Sequence, residues 1–458
     1  MFTLCVVLNG DSEISASQKV ETSLAAAQAN ARDAGAYLAS LNARRVAEEV
    51  GVGADYDDVC RLRAFDLGQV SRANIKKLYG DVLGLSASRI DRQAQCRLAY
   101  FLEYGLKAKE RKEATVDSAE FGTYVHDVLE RTVAEVMYRG GFPEVSLEDT
   151  QALAAGYSNQ YIEEKFKDLS SERMDYLFRR NVRELEIIVE ELWNELHVSG
   201  FQPADVEVNF DKKEKGGDFP PIPITGAAMK AFLRGKVDRV DTWRWRDQTY
   251  YRVVDYKTGK KDFDYCDILS GLGLQMLLYL FALEKAGADL VGDKPQAAGV
   301  QYFSARAQYV TIDGREDEKK LESERKSNRR HKGLLLNESH VLEAMEPRES
   351  SDGRWDPKWL CCKVDAKGNL VGDIANRSQL RKLETFVMHT LAGLVNEIAS
   401  GQVSPNPYTR GADHNACTYC PFGAVCHPAE VEDRRNRAKV SAGDFWDEIE
   451  RRNKDAAD

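Results

Sequence analysis

Two stretches of this chain, FLRGKVDRVDTW and TYYRVVDYKTG, alternate apolar and polar residues on either side of the turn-like WRWRDQ. Strict alternation is the signature of a half-buried strand, and two such runs around a short turn predict a hairpin centred on residues 244–248. Residues two apart in a strand share a face, so Asp255 and Lys257 point the same way. Pairing of the two strands brings Asp238 close to Asp255. Apolar strands that run into acids make a poor core unless the acids have a ligand. Two hard oxygen donors suit Mg²⁺, which keeps several waters of its own. A lysine beside them can orient a water or offset charge at a phosphate, whereas an arginine is bulkier and cannot give up a proton. Spacing alone also fits a solvated surface ion pair of small energetic weight.

Around the hairpin the pattern is mixed. Val206, Val208 and Phe210 alternate as in a strand, FPPIPITG reads as a proline-broken loop, and AGVQYFSA reads as a further strand. Helical periodicity marks residues 118–137, 150–198, 267–286 and 378–400, with a shorter helix over 88–105 capped by Ser88. An α/β core follows, with strands in the middle of the chain and helices around them. Residues 1 to about 80 are Ala-rich and charged, and Ser17 to Val50 read as one or two amphipathic helices. Residues 315–332 read as a solvated linker or exposed helix, and the last ~30 as a loosely held charged tail.

A net charge of −10 argues against coating nucleic acid by bulk charge, but leaves room for a local basic groove. No apolar run approaches the ~18 residues of a membrane span, and MFTLCVVLNG reads as strand and turn, so a cytoplasmic protein is expected. Two helices carry polar residues worth following. His126 lies one turn after Gly122, where a missing side chain admits close approach, but spacing alone does not assign it to a metal. Gln275 and Tyr279 share a face of an otherwise apolar helix. They either line the site and touch nucleic acid, or hydrogen-bond within the core.

Cys417, Cys420 and Cys426 form C-x2-C-x5-C, a strong metal signal in a chain whose nine cysteines make no disulfide scaffold. A fourth ligand is needed, from Cys96, Cys361, Cys362, Cys266, Cys60, Cys5 or His427. Cys361 and Cys362 are adjacent and cannot form a second zinc knuckle. Zinc and an iron–sulfur cluster both accept four thiolates, and both remain open.

The ordered motifs SASRIDRQAQC, GTYVHDVLE, GKVDRVD, DYKTG, QMLLY and C-x2-C-x5-C resemble the RecB-family nucleases of the PD-(D/E)XK superfamily that hold an iron–sulfur cluster, and among them the C-terminal nuclease domains of AddB-type helicase–nuclease subunits. The resemblance implies a restriction-endonuclease-like core, a central mixed sheet flanked by helices, with a cluster-bearing rim. It implies a nuclease domain over 85–428, a remnant of a helicase-like region or helical extension over 1–84, and a tail over 429–458. It makes Cys96 the fourth ligand of a [4Fe–4S] cluster, with Cys417, Cys420 and Cys426. His126, Asp238 and Asp255 become Mg²⁺ ligands, and Lys257, Gln275 and Tyr279 join Asp238 and Asp255 as catalytic positions. It further implies DNA as substrate, a 5′-ended single strand cut during break processing for recombination, and an AddA-type partner. Alternatives are a stand-alone nuclease of this kind or a DNA-end-binding module with an idle site. Two departures stand out: Arg97 replaces a proline common after the first cysteine, and no G-x-x-x-x-G-K-[ST] loop is present.

Overall fold

The computed structural model describes residues 45–49, 51, 69–109, 118–166, 172–212, 216–259, 261–292, 294–306, 321, 324, 328–348, 355–365, 367–411, 414–428, 431 and 433–456. Residues 45–49, the described part of the helical stretch expected over Ser17 to Val50, are helical; the rest of it, Cys5, Cys60 and most of 315–332 lie outside the described residues. Two compact units divide the chain at Gln69 and Val70, and the second, Val70–Asp458, is the larger.

In chain order this unit begins with α1 (Arg72–Tyr79), β1 (Val82–Leu85) and α2 (Ala87–Gln95), then three long helices, α3 (Ser118–Tyr138), α4 (Leu147–Phe166) and α5 (Glu172–Val198). Next come β2 (Gln202–Phe210), β3 (Ile222–Ile224), β4 (Lys230–Leu233), β5 (Gly235–Trp245) and β6 (Gln248–Lys257). The helices α6 (Tyr265–Leu269) and α7 (Gln275–Ala286) precede β7 (Pro295–Ser304), β8 (Lys332–Leu336) and β9 (Ile374–Ala375), with α8 (Arg377–Ser400) and α9 (Ala442–Asp455) after them and shorter helices and strands between. A six-stranded mixed sheet runs β9-β8-β7-β6-β5-β2, with β6 and β7 parallel and the β5–β6 and β2–β5 pairs antiparallel. This is the expected α/β core, a central mixed sheet between helices.

Adjacent strand residues face opposite layers, and the two cores show it. Val253 packs with α7 and α8 residues such as Leu277, Leu280 and Leu391, whereas Val254 packs with Val125, Leu129 and Leu192 of α3 and α5. The hairpin turns at Arg246 and Asp247, with Trp245 paired to Gln248 and Arg246 at a left-handed φ of 57°.

Several local expectations change. The first helix is capped by Ser86, not Ser88: the Ser86 hydroxyl accepts from the Arg89 N–H. It also breaks at Cys96, which is extended (φ −167°, ψ 125°), before helical turns resume over Arg97–Tyr100 and Phe101–Gly105. The helix expected over 267–286 is two helices, because Gly271 and Gly273 take φ of 86° and 66° and turn the chain between them. Part of the expected loop FPPIPITG is β3, which joins β4 and β1 in a small sheet. The charged C-terminal stretch is not loosely held, since α9 buries Phe445 and Ile449 completely. Its charges occupy the outer face, and its apolar residues dock on the main core. No helix among the described residues is long and apolar enough to cross a membrane.

Candidate active site

The β5–β6 register pairs Arg239 with Val254, so one step further along the ladder Asp238 stands across from Asp255. The ladder hydrogen bond there is replaced by a side chain: the Tyr256 N–H donates to Asp238 Oδ2 at 2.6 Å. From α3, His126 Nδ1 comes within 3.4 Å of the same oxygen. The His126 ring meets Tyr256 edge to face, at 5.9 Å between centroids. Lys257 forms an ion pair with Asp255. The hairpin and α3 thus bring His126, Asp238, Asp255 and Lys257 to one place.

Glu207 joins them, and the sequence pattern does not reveal it. Val206 pairs with Arg239 and Val208 with Val237, so Glu207 lies opposite Asp238 on β2. Ligand atoms of His126, Glu207 and Asp238 all lie within 4.8 Å of one another. Glu207 adopts a left-handed φ of 53°, a conformation costing about 1 kcal/mol for a residue with a side chain. Its signal in the sequence is weak: one acid in an alternating strand, whose relevance depends on register with a strand well downstream.

Electrostatics mark the cluster as short of positive charge. Burial pushes the Asp255 carboxyl up to about 6, the charge of Asp238 adds to that, and Lys257 pulls the other way. Burial presses the His126 imidazole toward its neutral form, but its hydrogen bond to Asp238 and the charges of Asp238 and Asp255 outweigh this, leaving it above its ordinary value. Hard carboxylate oxygens and an imidazole with too little cation nearby are a donor set that a divalent ion fits.

Gln275 and Tyr279 open α7, but they part company. Gln275 is half-buried, while Tyr279 is 0% exposed and stacks on Phe210 with centroids 5.3 Å apart. Burial pushes the Tyr279 hydroxyl up to about 12, with Gln275 beside it acting downward and the Asp255 and Asp238 charges upward. A side chain on Gly235 would collide with that hydroxyl, which explains the glycine that opens GKVDRVD. Tyr279 therefore packs against the start of β5. Of the two readings open for it, the core one fits this burial: it sits in an unbroken buried run from Met276 to Leu283 along α7.

Cys96, Cys417, Cys420 and Cys426 line one small, largely apolar cavity with Leu98 and Phe422. Cys266, Cys361 and Cys362 lie elsewhere: Cys266 meets the Tyr408 hydroxyl, and Cys361 Sγ donates to the Gly333 and Asp373 carbonyls. Burial pushes the Cys426 thiol up to about 11, with the Cys96, Cys417 and Cys420 sulfurs adding to it. Thiols that oppose one another's ionisation suit a positively charged metal centre. The ends of the unit are also laced by polar contacts, and Arg97 supplies several. Its N–H donates to Asn406 Oδ1 at 2.9 Å, a bond that a proline could not make, and its guanidinium reaches Gln402 (2.6 Å) and Asp433 (3.1 Å).

The pattern that defines the PD-(D/E)XK nuclease superfamily matches residues 84–427. The B subunit of the ATP-dependent helicase/deoxyribonuclease of Clostridium tetani is 30% identical over 365 residues, covering 78% of this chain and 31% of the relative. Its counterpart in Clostridium novyi is 31% identical over 365 residues, with the same coverage. The counterpart in a Thermoanaerobacter species is 30% identical over 396 residues, covering 84% of this chain and 32% of the relative. The chain spans about a third of the length of the curated relatives it matches.

Proposed function

The chain belongs to the PD-(D/E)XK nuclease superfamily, and on that premise we propose that it is an Mg²⁺-dependent deoxyribonuclease of the AddB type, hydrolysing single-stranded DNA at a processed end. One observation carries this reading: a buried, charge-starved Asp255 lies beside Lys257 and across the hairpin from Asp238, which is itself within reach of His126. Asp238, Asp255 and His126 would hold the ion, helped by Glu207 and the Tyr256 backbone carbonyl. Mg²⁺ supplies Lewis-acid charge that offsets the anionic oxygens of the phosphodiester. Lys257 donates to the attacking water and to the phosphoryl oxygen as charge builds there, while Asp255 holds the ammonium in place. The Tyr256 N–H fixes Asp238, and Tyr279 supports the strand that carries it.

The four-cysteine cavity would hold a [4Fe–4S] cluster. It would join the two ends of the nuclease unit across more than 300 residues, where closing so long a loop stabilises most. Residues 1–84 would then be a remnant of an upstream helicase-like region or a helical extension. An AddA-type partner would supply unwinding, leaving the 5′-ended strand to this site during recombinational repair in the cytoplasm.

Asp255→Ala tests the site. It is expected to lower Mg²⁺-dependent cleavage of end-labelled single-stranded DNA by at least about a hundredfold, with unchanged circular dichroism. The anaerobically purified variant should stay as brown as the wild type. Undiminished cleavage would sink the nuclease reading, and a colourless protein with stoichiometric zinc would replace the cluster by a zinc site. DNA binding without any Mg²⁺-dependent cleavage in the wild type would favour an idle, end-binding module.

A further inference from the structure

Beside the carboxylates lies a second cavity, of about 220 Å³, bounded by Lys257, Lys261, Arg306, Arg330 and Lys332, with Asp262 the one carboxylate among the described residues lining it. Strand register fixes its place. Across β6–β7, Asp255 pairs with Tyr302 and Lys257 with Ser304; across β7–β8, Tyr302 pairs with Lys332. Side chains directly opposite and two apart share a face, so Asp255, Lys257, Tyr302, Ser304 and Lys332 project together. The cavity therefore continues from the candidate metal site along the carboxyl ends of the parallel pair β6–β7, where open α/β sheets collect ligands.

Its charge is the inverse of the molecule's. The chain carries a net −10, yet five cationic side chains converge here. Part of that charge is answered internally: Asp255 pairs with Lys257, Asp356 with Arg330, and Asp262 lies 3.8 Å from Lys332. Lys261 has no ion pair among the described residues; its ammonium lies 5.9 Å from the centroid of the Tyr302 ring. Low-dielectric walls concentrate such a field and raise the local concentration of anions. The Tyr302 ring is only 6% exposed, so no aromatic face is offered for a base to stack on.

We propose that this cavity binds a backbone phosphate of the DNA strand, adjacent to the phosphodiester held at Asp238 and Asp255; the identification of the ligand as the substrate strand rests on the nuclease reading above. Lysine and arginine donors around a pocket with no base-stacking surface bind phosphate and read no sequence. The cavity sets the path of the strand past the metal site, and it explains how an acidic protein grips DNA: through a local patch, not net charge.

The test uses the full chain and a 5′-labelled single-stranded oligonucleotide, with EDTA present so that nothing is cut. Affinity is titrated against salt for the wild type, for Lys261→Gln/Lys332→Gln and for Lys261→Arg/Lys332→Arg. Lys332 is 46% exposed, and a thermal melt checks that the variants stay folded. Losing one phosphate contact on a single strand should flatten the slope of log K against log salt by about 0.7, equivalent to about fivefold weaker binding at 0.1 M salt. The arginine variant should keep the wild-type slope. A folded glutamine variant with wild-type affinity and slope overturns the proposal. Failure of the nuclease reading looks different: wild-type protein then binds with its full slope and never cleaves when Mg²⁺ replaces EDTA.

Discussion

One hairpin carries two charge clusters on its opposite faces, one half-buried and one fully buried, and they are built on opposite principles. On one face, Asp238 lies close to His126 and Glu207, Asp255 across the hairpin pairs with Lys257, Lys236 pairs with Glu207 at 3.1 Å, and Asp255 is driven up to about 6. On the other, Asp241 is gripped by two arginines: Arg239 Nε donates to Oδ1 at 2.7 Å, and Arg252 Nε donates to Oδ2 at 2.8 Å. Arg252 reaches on to Glu195 at 3.0 Å and to Gln301 at 2.8 Å, and His331 meets Glu195 at 2.9 Å. Arg239, Asp241 and Arg252 are 0% exposed. The second cluster answers Asp241 and Glu195 with Arg239, Arg252 and His331 from within the fold. The first is deficient in cation, which is what a metal site looks like before its metal is considered. Charge balance and solvent access together separate the structural cluster from the functional one.

The widest gap between the two should appear on removing one aspartate from each. Asp241→Ala leaves two buried guanidiniums short of a partner and is expected to cost about 3–5 kcal/mol in urea unfolding. Asp255→Asn in EDTA should instead stabilise, by about 1–2 kcal/mol, because it removes an acid that its surroundings disfavour. The Asp255 carboxyl is raised from 3.8 to about 6 in the folded chain, so its ionised form costs stability above about pH 6 and nothing below 3.8. The gain should therefore be present at pH 8 and vanish by pH 3.8. Adding Mg²⁺ should reverse the order, stabilising the wild type and not the variant. Two losses of equal size in EDTA would erase the distinction.

The balanced cluster makes its own pH signature. Burial alone would raise the Glu195 carboxyl, but the charges of His331 and Arg252 overcome it and hold the group at about 2, against an ordinary 4.5. A depressed carboxyl stabilises above its unfolded value and loses that contribution as pH falls toward the folded one. The wild type should thus lose on the order of 3 kcal/mol between about pH 4.5 and 2. Glu195→Gln should flatten that limb of the stability–pH curve measured by denaturant titration. An unchanged slope would mean that the cluster is not a balanced unit.

The two clusters are not equally legible in the sequence. Asp238, Asp255 and Lys257 can be read because a hairpin is local: alternation and one turn bring them together. His126 is legible as a helix position, but as a ligand only through resemblance. The balanced cluster cannot be read, since Glu195, Asp241, Arg252 and His331 meet only when α5, the hairpin and the approach to β8 pack together. Glu207 needs the β2–β5 register, and the basic cavity needs three strands whose lysines and arginines lie tens of residues apart. Tyr279 misleads because i, i+4 spacing shows that two residues share a face, not whether that face is wet. The two glycines after α6 are visible as residues, but a helix pattern tolerates glycine, so the break is not evident. The docked α9 is hidden by composition: its charges dominate the count, while two apolar residues decide its position.

The smallest test probes the seam between the clusters. Tyr256 belongs to both: its hydroxyl accepts from Arg239 Nη1 at 2.9 Å, while its backbone N–H donates to Asp238 Oδ2. Tyr256→Phe removes only the hydroxyl. Arg239 keeps its two bonds to Asp241, so the expected cost is about 1 kcal/mol of stability. The backbone bond to Asp238 survives, and cleavage of single-stranded DNA should change by less than about twofold. A large loss of cleavage with this small loss of stability would show that the side-chain network holds Asp238 through Tyr256, and that the two faces of the hairpin act as one site. A loss confined to stability keeps them separate, with the backbone N–H alone setting the orientation of Asp238.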